Sequence, residues 1–243
     1  MFKHLQIRYQ TARSLPAPYA YFYTLSARPV GSTALQIELV ITYPDRDDID
    51  DDELQAEGFT RDDDFSWKGQ LPKTWLDTLT ALIRKTELQP LEEDSLEEDD
   101  DFWNMTIEAN GKQQGQPSNI DDWHYLVQEL MQATYEITGR ERPFELIYLN
   151  LDSRQGDTEL YLTGSFAERQ LTIRSLHQRR ERSLTFPWTT LQQIMSKIYA
   201  HDFSPDDALL KRPKRDGQWL NLGGDEWYDI HAIPALTKLF NNL

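Results

Sequence analysis

The chain contains no cysteine, so it can form no disulfide, no thiolate metal site and no cysteine nucleophile. It has no apolar run near the roughly 20 residues that a membrane-spanning helix needs. Residues 1–14 also lack a signal-like apolar segment. These absences favour a cytoplasmic protein with no membrane partner.

The sequence motifs of the common enzyme families are missing as well. There is no GxGxxG, GxxxxGK[ST], GxSxG or HExxH. The five histidines lack metal-ligand spacing. Asp48, Asp50 and Asp52 have the spacing of a calcium loop, but Glu53 stands where that loop needs glycine and Phe59 where it needs glutamate. We therefore expect no cofactor and no metal, and we nominate no catalytic residue.

Positive charge is scarce, with 25 Lys and Arg against 41 Asp and Glu and a formal net charge of −16. All of the excess lies in residues 1–138, which carry 27 acidic and 11 basic side chains, whereas residues 139–243 carry 14 of each. Such a balance argues against nucleic acid as the principal partner. Locally basic sequence occurs in the second part, at Arg174, Arg179, Arg180 and Arg182 and in residues 211–215.

The two densest acidic runs, residues 45–53 and 92–101, are predicted to be loops, where recognition residues can vary without disturbing a core. Two tryptophans beside acidic loops, Trp67 and Trp103, are candidates for an exposed aromatic platform. If these residues do not bind a partner, the acidic runs would serve solubility and the tryptophans would pack in the core. The candidate partner-binding residues are Asp47, Asp48, Asp50, Asp51, Asp52, Glu92, Glu93, Asp94, Trp67 and Trp103.

Residues 91–101, called the acidic connector below, combine eight carboxylates with only two leucines and one serine. Such a segment repels itself and has little apolar surface to bury. The composition predicts a solvated, mobile connector that limited proteolysis cuts first.

Apolar side chains alternate most clearly at Leu35, Ile37, Leu39 and Ile41, which predicts a strand with one buried face. A helical stripe of Trp123, Leu126, Val127, Leu130, Thr134 and Ile137 predicts an amphipathic helix, with Ser118 as its N-cap. An apolar content of 39% is ample for a core.

A strand, a glycine turn and a helix opening on Asp121-Asp122-Trp123 have an apparent second copy: a strand at 218–222, a turn at Gly223-Gly224 and a last helix opening on Asp225-Glu226-Trp227. We therefore predict an α+β fold of two tandem ββββαβα units related by a pseudo-twofold, with mostly antiparallel sheets and helices on one face. The repeats are residues 1–138, with an N-terminal extension, and 139–243. Pro234 fits the last helix poorly, which must kink or restart near Ile233.

Tryptophan placement supports the duplication through the pairs Trp75/Trp188, Trp103/Trp219 and Trp123/Trp227. The first helices of the two repeats align about equally well at offsets of 112 and 115 residues. A shift of three residues stays on one helical face, so the pattern leaves both registers open.

For function, the sequence favours a non-enzymatic acidic interaction protein, of the inhibitor or immunity type, for a basic protein partner. The alternative is an enzyme or small-ligand-binding protein with a site in a cleft between the repeats. A flat acidic face would favour the first hypothesis and a deep polar pocket the second. The sequence does not set the oligomeric state.

Overall fold

The computed structural model describes residues 2–243, which form two antiparallel sheets and five α-helices. This confirms the α+β class. The chain divides into two compact units, one up to residue 129 and one from residue 130 onward. The division falls within the third helix, earlier than the boundary predicted after residue 138. None of the helices among residues 2–243 is long and apolar enough to cross a membrane.

The first sheet has seven strands in the order β4-β3-β2-β1-β6-β7-β5. They are β1 (His4–Gln10), β2 (Phe22–Val30), β3 (Ala34–Thr42), β4 (Phe65–Pro72), β5 (Leu88–Gln89), β6 (Phe102–Glu108) and β7 (Lys112–Pro117). The helices of this part are α1 (Asp51–Ala56), α2 (Lys73–Lys85) and α3 (Ile120–Thr138). Short 3-10 helices form at Arg46–Asp48 and Glu93–Ser95.

The alternation in β3 places its apolar side chains on one face, as predicted. Leu35, Ile37, Leu39 and Ile41 are all buried, and Leu39 pairs with Leu25 on β2. Helix α2 packs on β3 and β4. Its buried residues, Trp75, Leu76 and Leu79, recur at helical spacing. The apolar face of the helix therefore packs on the apolar face of the strands to form one core.

The second sheet has six strands in the order β11-β10-β9-β8-β12-β13. They are β8 (Phe144–Leu151), β9 (Thr158–Ser165), β10 (Gln170–His177), β11 (Arg180–Pro187), β12 (Gly217–Asn221) and β13 (Trp227–Asp229). Helix α4 (Trp188–Ile198) packs on β10 and β11, and α5 (Pro234–Phe240) packs on α4. The main core of this unit contains Leu146, Leu162 and Leu171 from the sheet and Leu191 from α4. A separate, smaller apolar cluster is formed by Leu149, Trp219 and Trp227.

Two predictions about the first unit were wrong. The N-terminal strand is not an extension, because β1 lies inside the sheet between β2 and β6. The glycine-containing turn is mostly strand β7, where Gly115 has a φ of +156° and a Cβ would come within 2.0 Å of the Gln89 carbonyl oxygen.

The prediction that the last helix opens at Asp225-Glu226-Trp227 was also wrong, because Trp227 lies in strand β13. The N–H and C=O groups of Trp227 both bond to Leu209, at 2.9 Å each. The Asn221 amide donates to the carbonyl oxygens of Gly224 and Glu226 and closes a turn. The helix starts at Pro234, where a missing N–H costs nothing, so it begins next to Ile233 and neither kinks nor restarts there.

Helix α3 forms where its apolar stripe predicted, with two local differences. Trp123, Leu126, Val127, Leu130 and Thr134 are buried, but Ile137 is 45% exposed. The residue before the helix is Asn119 and not Ser118, and its amide donates to the Asp122 carboxylate at 3.1 Å.

Replacing Leu130 with alanine should lower the free energy of unfolding by about 2 to 5 kcal/mol, through lost apolar transfer and the cavity left behind. The matched control is Ile137→Ala, which removes a half-exposed side chain from the same helix and should cost under about 1 kcal/mol. Urea unfolding of both variants measures the difference. Equal losses would show that Leu130 is not a core residue.

Candidate interaction surface

The first acidic run, residues 45–53, is folded around a buried arginine. Arg46 is 3% exposed, and its guanidinium donates to the carbonyl oxygens of Pro18, at 2.8 Å, and Thr60, at 2.9 Å, and to the Asp63 carboxylate. Its planar group lies 4.0 Å from the ring centroid of Tyr43. The run is therefore an ordered segment of 3-10 helix and α1, whereas the sequence predicted a loop.

A second arginine neutralises part of the same run. Arg61 donates to the Asp51 carboxylate at 2.5 Å and to the backbone carbonyls of Asp47 and Ile49, and it lies 3.7 Å from the Asp47 carboxylate. Two of the predicted partner-binding residues, Asp47 and Asp51, thus have partners within the protein. Asp48, Asp50 and Asp52 are exposed, and none forms an ion pair within residues 2–243.

The acidic connector is different, because most of its carboxylates form no ion pair within the described residues. Seven of its carboxylates are exposed, and over residues 2–243 no Lys or Arg pairs with them. They are Glu92, Glu93, Asp94, Glu97, Glu98, Asp99 and Asp100. The connector is the largest uncompensated run of charge in the described chain, and it contains predicted residues Glu92, Glu93 and Asp94.

The connector is tied to the first unit at several points along its length. Arg13 donates to the Leu96 carbonyl oxygen at 3.0 Å, and the Ser14 N–H donates to the Glu98 carbonyl oxygen at 3.0 Å. At its end, the Asp101 carboxylate accepts from the Tyr9 hydroxyl and the Ala12 N–H, each at 2.8 Å. These bonds give the exposed carboxylates a defined path over the surface.

The anchor residue Asp101 lies beside an aromatic cluster. The Tyr9 ring lies 5.0 Å from the Trp103 ring and 5.3 Å from His124, and the His124 Nε2 atom lies 3.5 Å from the Asp101 carboxylate. Burial, reinforced by the hydrogen bond to Asp101, raises the pKa of Tyr9 well above its usual value. Tyr9 therefore stays protonated as a hydrogen-bond donor to the connector.

Neither predicted tryptophan forms an exposed platform. Trp103 is 1% exposed and belongs to the aromatic cluster. Trp67 is half-buried on β4, and its ring fills the space over Gly69, where a Cβ would approach it to 2.3 Å. Trp103 is therefore a core residue, and Trp67 packs against Gly69.

Sequence reasoning missed the residues that order these segments, namely Arg46, Arg61 and Asp101. A signal was present for the arginines, since they are the only basic residues between positions 29 and 67. A lone cation in an acidic run is a natural organising centre. No local signal marked Asp101, because its partner Tyr9 is 92 residues away.

Removing the anchor should loosen the connector. Asp101→Ala deletes the acceptor for Tyr9 and Ala12, and we expect limited proteolysis within residues 91–101 to become several-fold faster, since local opening becomes cheaper. Asp99→Ala, an exposed carboxylate in the same segment, is the control and should not change the cleavage rate. Equal rates in the two variants would mean that Asp101 does not hold the segment.

Within residues 2–243, no group of three or more His, Asp or Glu side chains is arranged to hold a metal ion. Comparison of the chain with protein-family models, with curated proteins and with solved structures finds no match. The function must therefore be argued from the chemistry of the surface itself.

Proposed function

We propose that the acidic connector is a docking surface for a basic protein, and that the protein is a non-enzymatic interaction module of the inhibitor or immunity type. The observation that carries this proposal is an ordered run of seven exposed carboxylates, none of which forms an ion pair with a Lys or Arg of residues 2–243. Arg13 contacts the connector through the Leu96 carbonyl oxygen and not through a carboxylate. The same protein partly neutralises its other acidic run with Arg61. The contrast points to a surface kept charged for a partner.

The physical argument concerns order. Like charges in one segment repel, and a segment needed only for solubility gains nothing from a fixed path. The hydrogen bonds from Arg13 and Ser14 and those to Asp101 hold the connector against this repulsion. Pre-ordering reduces the conformational entropy lost on binding, so it benefits recognition.

Basic proteins suit this surface best among partner classes. A field from seven neighbouring carboxylates attracts cations and repels phosphate backbones and anionic lipids. Exposed Asp48, Asp50 and Asp52 extend the acidic character of the first unit. The alternative, an enzyme or small-ligand site between the repeats, stays a hypothesis.

Charge neutralisation tests the proposal. Partners are captured from the source cell with the native protein and with a variant in which the seven connector carboxylates are replaced by Gln or Asn. The association rate constant with the main partner is then measured over a range of salt concentrations. We expect steered association with the native protein to slow steeply with salt, because screening shortens the field to about 8 Å at physiological ionic strength. The variant should associate about tenfold or more slowly at low salt, with little change in dissociation.

The matched control changes Asp48, Asp50 and Asp52 to Asn, which removes charge from the first unit but leaves the connector intact. This control should slow association less than the connector variant does. A connector variant that captures the same partners at the same rate across salt would reject the proposal and leave solubility as the role of these carboxylates.

We also propose that the two units arose by duplication, in a register that the sequence alone left open. Pro72 ends β4 before α2, and Pro187 ends β11 before α4. This offset of 115 also pairs buried Leu76 with Leu191 and Leu79 with Ile194.

The strand orders β4-β3-β2-β1-β6-β7 and β11-β10-β9-β8-β12-β13 support the same correspondence. Trp103 and Trp219 lie in strands that each pair with the first strand of their own sheet. Trp123 and Trp227 do not correspond, since one is helical and the other lies in a strand. Superposition of β1–β4 on β8–β11 should align Pro72 with Pro187, and misalignment by several residues would contradict the duplication. The pseudo-twofold stays a prediction.

A further inference from the structure

The face of the second sheet that is turned away from its main core carries a cavity of about 260 Å³, called the sheet pocket below. Buried Leu146 and Leu162 point to the core, so their neighbours along β8 and β9 point to the opposite face. The polar side chains of the pocket are Glu145, Tyr161, Thr163, Thr172, Arg174 and Ser183.

The strand register arranges these side chains in two rows. Tyr161, Arg174 and Ser183 are directly paired across β9, β10 and β11. Glu145 and Thr172 each pair with Thr163 from opposite sides. One row therefore ends in a carboxylate and the other contains a guanidinium, with hydroxyl groups between and beside them.

Arg174 is positioned and only partly neutralised, by the Glu181 carboxylate and by the nearby charge of Glu159. Its guanidinium carbon lies 4.4 Å from the Tyr161 ring centroid, a cation–π contact that favours this position of the side chain. Its ion pair to Glu181 is long, at 3.6 Å, and both side chains are about half exposed. Exposed pairs of this kind contribute little, so most of the five N–H donors of Arg174 stay available to a ligand.

The tyrosine that supports Arg174 is itself held in place. Its hydroxyl donates to Glu159 at 2.5 Å, and Glu159 also accepts from Arg212 at 2.6 Å. Burial alone would raise the pKa of Glu159, but the hydrogen bonds from Tyr161 and Arg212 outweigh it and lower that pKa. An ionised Glu159 thus locks the ring before any ligand arrives, which is the arrangement that favours a preformed site.

The remaining polar groups of the pocket are uncommitted. Across residues 2–243, the hydroxyls of Thr163, Thr172 and Ser183 form no side-chain hydrogen bond, and Glu145 forms no ion pair. Ile147 and the Tyr161 ring add apolar surface to the same cavity. The pocket thus offers a cation, an anion, hydroxyls and a small apolar wall.

We propose that the sheet pocket binds a small zwitterion of the amino-acid class, with its carboxylate at Arg174 and its ammonium group at Glu145. Strands β8 and β10 lie two strand spacings apart, and Glu145 and Arg174 are also two residues out of line, so about 12 Å separates their backbone positions. Both side chains are long enough to lean toward each other, and a ligand with one charge of each sign would bridge them through two charge-assisted hydrogen bonds. Glu145 repels the second charge of a polyanion, which disfavours nucleotides and other phosphate esters.

Nuclear magnetic resonance of the nitrogen-labelled full chain tests this, with each common amino acid added singly to about 10 mM, where a millimolar site is nearly full. At least one amino acid should give saturable shifts at the amides of Thr163, Thr172 and Ser183. Arg174→Gln should weaken that binding about tenfold or more, because hydrogen bonds to charged groups contribute about 1.5 to 3 kcal/mol. Arg182→Gln is the control, since its side chain leaves the same hairpin on the other face.

A second comparison tests the ammonium subsite. The carboxylic acid that lacks only the amine of the bound amino acid should bind more weakly, and Glu145→Gln should weaken the amino acid but not this acid. Spectra unchanged outside the pocket verify that each variant is folded, and Thr172→Val replaces Arg174→Gln if that variant unfolds. No saturable shift with any amino acid, or equal affinity in the Arg174→Gln or substituting Thr172→Val variant, would overturn the proposal. Equal affinity for the acid that lacks the amine would overturn the zwitterion assignment.

Discussion

Arg46→Met should lower the free energy of unfolding by about 3 to 5 kcal/mol, because it removes one partner from a buried charged network. Methionine can occupy the place of the arginine stem, but it leaves the Pro18 and Thr60 carbonyl oxygens and the Asp63 carboxylate without their donor. Asp63 keeps the Thr60 N–H and hydroxyl, at 2.9 and 2.7 Å, so part of its charge stays compensated. Urea unfolding measures the loss.

Arg61→Met is the matched control for this prediction. Arg61 serves the same acidic run, but its side chain is 37% exposed, and exposed ion pairs contribute about 1 kcal/mol or less. The double variant Arg46→Met/Asp63→Asn should recover part of the loss, because no charge is then left unpaired. An Arg46 variant no less stable than the Arg61 variant would show that burial of Arg46 does not organise the run.

Local periodicity explains which elements the sequence could predict. The predictions of β3 and α3 are confirmed, because in each element the apolar residues repeat over many positions and lie on one buried face. Strand β7 was missed because it is polar and contains glycine, and β13 was missed because its three residues, Trp227–Asp229, were interpreted as the opening of a helix. Their pairing to β6 and β12 is decided by the neighbouring strand and not by their own pattern.

The candidate surface was only partly predictable for the same reason. Composition identified the acidic connector, since charge is visible residue by residue. The bonds that order it join residues far apart in sequence, such as Tyr9 with Asp101 and Arg13 with Leu96. Arg174 was visible only as one of four clustered arginines, whereas the register places it on one face and Arg182 on the other. Topology, not composition, separates them.

Tyr23→Phe should raise the free energy of unfolding at neutral pH, by a few tenths of a kcal/mol to about 1 kcal/mol. Tyr23 is 3% exposed and its ring stacks on Tyr9 at 4.9 Å. Its buried hydroxyl has no hydrogen-bond partner within residues 2–243. Leaving a buried donor unsatisfied costs free energy, so deleting the hydroxyl while keeping the ring should be favourable.

The advantage of Tyr23→Phe should widen as the pH rises above about 10. Burial, with the nearby Tyr21 and Asp101 charges, raises the pKa of Tyr23 well above its ordinary value. The unfolded chain therefore loses this proton near pH 10 while the folded chain keeps it, so the native protein loses stability as the pH rises. The loss is about 1.4 kcal/mol per pH unit for each such group, or on the order of 2 to 3 kcal/mol between pH 10 and 12.

Two further tyrosines separate this ionisation effect from a general loss of stability in alkali. Burial raises the pKa of Tyr148 to about 12, and its hydroxyl donates to Asn241 at 3.0 Å. Tyr148→Phe should therefore cost about 1 kcal/mol at neutral pH through the lost bond, and the cost should shrink or reverse toward pH 12. Tyr199 is 67% exposed and so contacts solvent in both the folded and the unfolded state. The free energy of unfolding of Tyr199→Phe should therefore depend on pH as that of the native protein does.

The contrary outcome is a free energy of unfolding that changes with pH in the same way for the native protein and for Tyr23→Phe, from pH 7 to pH 12. Only a group that is protonated differently in the folded and unfolded states makes two such curves diverge. Parallel curves would therefore mean that the Tyr23 hydroxyl is not buried unpaired.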